Sequence, residues 1–148
     1  MLDKKFFFKI GPEVVAKFRK HTFNQAKDID GKQFKAYSSS YAKAKGTGKL
    51  PRQATEFANS TAPVLTSDLM RDFTMRRVTD DQFEFGTLAQ GGKVENLTKL
   101  GRVISKKDKP LPNEIVKFLQ NESVKYIQKT LQKTVKTKIK KKIMDIFV

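Results

Sequence analysis

The sequence predicts an α+β fold, a small antiparallel sheet flanked by an N-terminal helix and a long C-terminal helix, and three observations predict it. Residues 73–87, FTMRRVTDDQFEFGT, are two short β-prone segments around an acidic turn. Residues 113–147 contain neither Gly nor Pro and place Ile115, Leu119, Ile127, Leu131, Val135, Ile139, Ile143 and Phe147 on a ladder of step four. Phe6, Phe8 and Ile10 alternate with Lys5, Phe7 and Lys9, a period of two that predicts a short N-terminal strand beside the hairpin.

In chain order, that strand is followed by Gly11-Pro12-Glu13. Proline suits the first helical position and an acid suits the positive helix end. Val14, Val15, Phe18 and Thr22 then keep helical spacing to about Ala26. Asp28-Ile29-Asp30-Gly31 is turn chemistry, because short acidic side chains bond the local backbone and Gly adopts positive φ. Ser38 or Ser39 is placed to cap a short helix over residues 41–45, ended by Gly46 in the left-handed conformation. Residues 46–64 read as a long loop, a length that usually signals function in a compact domain. Thr66 or Ser67 then caps a helical turn carrying Leu69 and Met70, and the hairpin follows with a loop of about three residues around Asp80 and Asp81. Gly91-Gly92 breaks the chain, and residues 94–101 form a short helix ending at Gly101. Pro110 and Pro112 stop what precedes the last helix, where Asn113 caps and Glu114 occupies the first turn. A step of four drifts about 40° per interval against the 3.6-residue turn. The last helix is therefore expected either to break near residues 121–123 or to send its tail away from the body.

The chain has 148 residues, enough for a single domain with one core. Lys and Arg number 31 against 15 Asp and Glu, a formal net charge of +16. From residue 102 onward the balance is 13 to 4, and before it 18 to 11, so the charge is denser in the C-terminal third. Polyanions or acidic protein surfaces are the expected neighbours, while a solvated basic face that keeps the protein soluble is the plainer account. With no Cys, disulfides, thiolate metal sites and a Cys nucleophile are excluded. The segment MLDKKFFFKIGPEVV is too interrupted for a signal h-region, and no stretch approaches the ~20 apolar residues of a membrane helix. A soluble protein made in a cytoplasm, with no membrane partner, is expected.

Catalytic chemistry is not legible. His21, the single histidine, lies in the first helix without a second ligand or an oriented partner, which makes it a structural or surface residue. Asp28-x-Asp30-Gly31 starts like a calcium loop, but the twelfth position is Ser39 where a closing Glu is needed. Gly46-x-Gly48-Lys49 lacks the spacing and the Ser/Thr of a phosphate loop. The Asp80-Asp81 pair is explained by its turn. Catalytic residues, cofactors and metals are thus all expected to be absent. Lysine dominates the C-terminal helix, so any nucleic-acid contact there would be salt-sensitive, sequence-blind phosphate binding. The other reading of that helix is an amphipathic element whose apolar side packs on its own body.

The segment DIDGKQFKAYSSSYAKAKG resembles one found in virion morphogenesis, tail-completion and tail-component proteins of tailed phages. The matching features are Asp28 or Asp30, Gly31, Phe34, and the block Tyr37-Ser38, Tyr41-Ala42 and Lys45. After a variable loop, Leu65-Thr66-Ser67-Asp68-Leu69 stands where the family has Leu-Thr-Gly-x-Leu; the hairpin ends in Gly86; Gly101-Arg102-Val103-Ile104 matches an Arg-led segment; a terminal helix closes the series. The resemblance covers residues 10–130 and lies in the order of the blocks. This chain departs from it at Ser67, at Leu88-Ala89 in place of Tyr-Ala, and in the lysines beyond Lys136. The resemblance implies a structural virion protein, assembled as a homo-oligomeric ring at the neck or tail top, made in the host cytoplasm. Its neighbours would be the portal or connector and the tail-tube or tail-terminator protein, with DNA passing through. It also implies an α+β fold, no cofactor and no active site. Phe34, Tyr37, Tyr41, Leu65, Leu69 and Arg102 are the candidate interface residues, since aromatics favour interface cores. Lys133, Lys136, Lys138, Lys140, Lys141 and Lys142 are the candidate DNA- or partner-facing residues. The alternative function is a sequence-independent basic nucleic-acid-binding protein.

Overall fold

A computed structural model describes residues 2–48, 50–51, 53, 55–63 and 67–146, with the side chains of 140–146 left out. It is a mixed helix-and-sheet fold with, among the described residues, five α-helices and a two-stranded antiparallel hairpin. In chain order these are α1 (Lys4–Arg19), α2 (Ser39–Gly46), α3 (Asp68–Asp72), β1 (Thr74–Val78), β2 (Phe83–Gly86), α4 (Gly91–Lys99) and α5 (Asn113–Ile146). A π-helical turn, Lys20–Asn24, prolongs α1, and a 3₁₀ turn covers Thr55–Phe57.

The N-terminal strand expected over residues 5–10 is instead the first half of α1. Asp3 is its N-cap, accepting from the Phe6 amide at 2.9 Å, and the helix runs through Pro12. An interior Pro costs about 3 kcal/mol. Helical winding puts Phe6, Phe7, Ile10, Val14 and Phe18 together in the core, and each such buried side chain is worth about 1.5–3 kcal/mol. Burial wins. Pro12 and Phe8 are both solvent-exposed, so the Phe8 carbonyl that loses its helical donor faces water.

The core forms where α1 crosses the hairpin and the first turns of α5. Phe18 packs against Phe73 and Phe85 with ring centroids 4.9 and 5.2 Å apart. The predicted hairpin is present, its pairing running from Thr74↔Gly86 to Val78↔Phe83, with an irregularity between Met75 and Arg77. Its loop spans residues 79–82, closed by the Thr79 amide on the Gln82 carbonyl at 2.9 Å. Gly11 lets α1 lie close against β1, since a Cβ there would collide with Met75 Sδ. Arg19 fastens the two elements by donating from Nε to the Phe73 carbonyl at 3.0 Å and from Nη2 to the Arg71 carbonyl at 2.9 Å.

Asp28 Oδ1 closes the predicted turn, accepting from the amides of Asp30 (2.9 Å) and Lys32 (2.8 Å), with Gly31 at φ +83°. Ser38 holds the N-cap position of α2 without a side-chain cap bond. The left-handed residue after α2 is Gly48 (φ +67°), two residues beyond the expected Gly46, because the helix closes through a turn at Thr47. Gly91-Gly92 opens α4 rather than breaking the chain, and Gly101 ends that segment at φ +73° as expected. α5 is unbroken across residues 121–123 and about 50 Å long at 1.5 Å per residue. Leu65 and Thr66, like Phe147, lie outside the described residues.

Candidate assembly surface

Two of the stretches that carried the resemblance, residues 34–45 and the segment led by Arg102, meet at one place. Ala26 accepts from the Phe34 amide at 2.9 Å, so the chain returns from the Asp28 turn along the core and delivers Phe34 inward and Tyr37 to the rim. Arg102 arrives from the far end of α4. Its guanidinium carbon lies 3.9 Å from the Tyr37 ring centroid and 5.7 Å from that of Phe34. It donates to the carbonyls of Thr61 (2.7 Å) and Lys35 (2.6 Å), joining three segments remote in sequence. Lys45, from α2, approaches the same Tyr37 ring, with Nζ 4.8 Å from its centroid. It donates to the Ser60 carbonyl at 2.6 Å and the Ala62 carbonyl at 3.2 Å, while Tyr37 donates its hydroxyl to Ala62 at 2.8 Å.

Two cations thus share one aromatic ring and a set of backbone carbonyls. Lys45 is 1% exposed and Arg102 6%. Among the described residues neither pairs with a carboxylate. Burial, and then the Arg102 charge, pull the Lys45 ammonium down to about 8. Burial also pushes the Tyr37 hydroxyl above its ordinary value, against the opposing pull of Arg102. Both cationic side chains are used inside the chain's own fold, as ties that hold the 34–37 and 60–62 segments against α2 and residue 102.

Outside this node is an open groove of about 460 Å³ lined by Tyr37, Ser38, Tyr41, Pro63, Leu97, Leu100 and Arg102. Tyr41 packs tilted against Tyr37, 4.8 Å between centroids and 59° between ring planes, and Leu100 stands 74% exposed at the edge. Of the candidate interface residues, Phe34, Tyr37, Tyr41 and Arg102 are therefore brought together, and the two tyrosines reach the surface. Leu69 is in the hydrophobic core. Leu65 lies outside the described residues. Ser67, at the N-cap of α3, has φ +63° and is buried, and among the described residues its hydroxyl has no hydrogen-bond partner.

The basic candidates lie elsewhere, on α5. Lys133, Lys136 and Lys138 are exposed, and Lys140, Lys141 and Lys142 continue the same helix. Lys133 also lines a cleft of about 400 Å³ between α1 and α5, with Lys9, Lys125, Lys129, Glu122, Tyr126 and Thr130. His21 is buried under the start of α5. Its Nδ1 is 2.6 Å from Glu114 Oε1 and its Nε2 2.8 Å from the Asp28 carbonyl, a structural tie between three segments. Among the described residues no three acidic or histidine side chains cluster to hold a metal ion, and no helix is long and apolar enough to cross a membrane.

Sequence reasoning named Lys45 only as a position of the resemblance, not as a candidate interface residue, and did not single out Leu97, Leu100 or the Ala62 carbonyl. Nothing in a Lys-rich block marks which lysine turns inward, and the leucines of α4 carry no motif. Compared with known proteins, the chain matches no family model, no curated protein and no solved structure.

Proposed function

We propose that the chain is a non-catalytic structural protein of a tailed-phage virion, a tail-completion or neck subunit that works as a homo-oligomeric ring where head joins tail. Its neighbours in this reading are the portal or connector on one side and a tail-tube or tail-terminator protein on the other. The observation that carries the proposal is the convergence of Phe34, Tyr37, Tyr41, Lys45 and Arg102 on one node. Phe34, the block Tyr37 to Lys45, and the segment led by Arg102 are separate parts of the resemblance, and their meeting gives a physical reason for them to occur together. The left-handed backbone at Ser67 adds support, because it is the conformation that suits the Gly of the resembled block.

The node leaves an apolar, tyrosine-rich groove with Leu100 at its edge, a composition suited to contact between subunits. Mass photometry of the purified protein is expected to show a discrete closed oligomer, and electron microscopy of labelled virions to place it between head and tail. Leu100→Asp, at an exposed position, should leave the monomer folded and abolish the oligomer. A strictly monomeric protein absent from particles would falsify the proposal.

A second reading, sequence-independent nucleic-acid binding, is favoured by the cleft where Lys9, Lys125, Lys129 and Lys133 converge. In that case duplex affinity falls by orders of magnitude between about 50 and 200 mM salt. Assembly that persists with no DNA affinity excludes it.

A further inference from the structure

We propose that Glu122 is a built-in competitor for duplex DNA at the lysine cleft between α1 and α5, holding Lys125 until a backbone phosphate takes the carboxylate's place. This role rests on the nucleic-acid reading of that cleft and holds whether or not the chain forms rings. The two helices run antiparallel, with His21 beside Glu114, Lys17 over Phe118 and Phe6 against Tyr126. At about 100° per residue, Ile115, Phe118, Glu122 and Tyr126 share the side of α5 that the body holds. Val124, Leu131, Val135 and Ile139 make an apolar stripe on the outer side, each more than half exposed. Past Tyr126 the inner side turns basic. Lys129 and Lys133 continue it, and with Lys125 and Lys9 they line the cleft.

The lining selects phosphate. Phe6 and Ile10 form the floor but are only 3% and 2% exposed, so they offer no apolar anchor point to a protein partner. Tyr126 gives its hydroxyl to the Asp3 carboxylate at 2.8 Å. The cleft therefore lacks a free ring on which a single-strand base could stack. Among the described residues no Arg, Asn or Gln lines it, so it also lacks the side chains that read base edges. Lys125, Lys129 and Lys133 remain, about 6 Å apart along the helix axis, as point charges suited to a row of phosphates.

Glu122 is the acid of this lining. Its Oε1 accepts from Lys125 Nζ at 2.7 Å, and its side chain is 29% exposed. The Lys125 hydrogen bond first, and then the charges of Lys125 and Lys9, hold its carboxyl below its ordinary value against the opposing pull of burial. One end of the row thus already carries an oxyanion. Lys129 and Lys133, at the other end, pair with no carboxylate among the described residues. An exposed pair such as Glu122–Lys125 is weak, so a phosphate displaces it and Lys125 joins the contact. Glu122 then stands as a like charge beside that phosphate, and the repulsion limits affinity.

The test is fluorescence anisotropy of the full chain with a labelled duplex of about 20 base pairs, titrated at about 50, 100 and 200 mM salt. The substituted side chains are exposed or part-exposed, so every variant should keep the wild-type urea midpoint. Glu122→Gln is expected to tighten binding by about three- to tenfold and to steepen the slope of log affinity against log salt by about 0.9, one further phosphate. Glu95→Gln removes the same charge from α4, outside the cleft, and should change affinity by less than about twofold with the slope unchanged. Lys129→Gln/Lys133→Gln should weaken binding by about tenfold or more and flatten the slope by about 2. No duplex binding by the wild type, or undiminished binding by the double lysine variant, removes the nucleic-acid reading of the cleft and the competitor with it. Binding that is lost in the lysine variant yet unchanged in Glu122→Gln, or raised equally by Glu95→Gln, overturns the competitor alone. Tighter binding of a polyglutamate peptide than of a duplex of equal charge also overturns it, in favour of an acidic protein partner.

Discussion

Lys45 holds its charge where charge is disfavoured, and this makes it a reporter of the node. Its neutral amine can still donate to the Ser60 and Ala62 carbonyls, so losing the proton relieves the burial cost and keeps both bonds. Its folded value of about 8 lies below the ordinary 10.5. Below pH 8 both states are protonated and the full cost is present. Between the two values the unfolded chain holds a proton that the folded chain has released, so stability rises with pH. Wild type should gain on the order of 2 kcal/mol over Lys45→Met between about pH 7.5 and 9.5, read as the difference in urea unfolding at each pH. A parallel pH response in the two proteins contradicts the assignment. Ser67 gives a second residue-scale prediction. Its left-handed backbone, and a buried hydroxyl without a partner among the described residues, are both unfavourable, so Ser67→Gly should raise stability by about 1–2 kcal/mol, measured by chemical denaturation. At this scale the sequence was partly legible. Phe34, Tyr37, Tyr41 and Arg102 were singled out and do meet, because aromatic and Arg side chains stand out among small polar ones. Lys45 was marked only as a position of the resemblance; residue chemistry did not separate it from Lys43, since the three-dimensional path of α2 decides which lysine faces inward.

Among the elements, the hairpin and the last helix were legible because each has a local signature that nothing contradicts: two β-prone segments around Asp80-Asp81, and a 34-residue helical run without Gly or Pro. The N-terminal helix was not. Phe6, Phe8 and Ile10 satisfy a period of two, yet Phe6, Ile10, Val14 and Phe18 equally satisfy a period near four, and Gly11-Pro12 looked like a boundary between them. Long-range packing decided in favour of the helix. The decision has a measurable residue, the lost bond and ring clash at Pro12. Because Pro12 is exposed, Pro12→Ala removes little packing and should stabilise the fold by about 2 kcal/mol, seen as a higher urea midpoint with an unchanged slope. The outer stripe of α5 was hidden for another reason. A ladder of step four mixes Ile115 and Leu119, which face α1, with Leu131, Val135 and Ile139, which face away. Taking the residues by angle around the helix separates the two sets.

For the molecule as a whole, positive charge is dense on the second half of α5, where residues 128–139 are all exposed and include Lys129, Lys133, Lys136 and Lys138. Lys138→Glu/Lys142→Glu should therefore leave the unfolding midpoint within about 0.5 kcal/mol of wild type while impairing assembly or infectivity in a plaque assay. Normal infectivity of the double variant counts against a contact role for these lysines. One further consequence follows from the way α1 is satisfied. Phe6 meets Tyr126, Asp3 bonds Tyr126, and His21 meets Glu114, so the first helix depends on groups some hundred or more positions downstream. At translation rates of 5–20 residues per second, Tyr126 is made roughly 6 to 24 s after Phe6. Throughout that interval Phe6 waits on the nascent chain without the Tyr126 surface that covers it. Early synthesis is thus the chain's most vulnerable moment, and the stage at which a holdase chaperone has most to do.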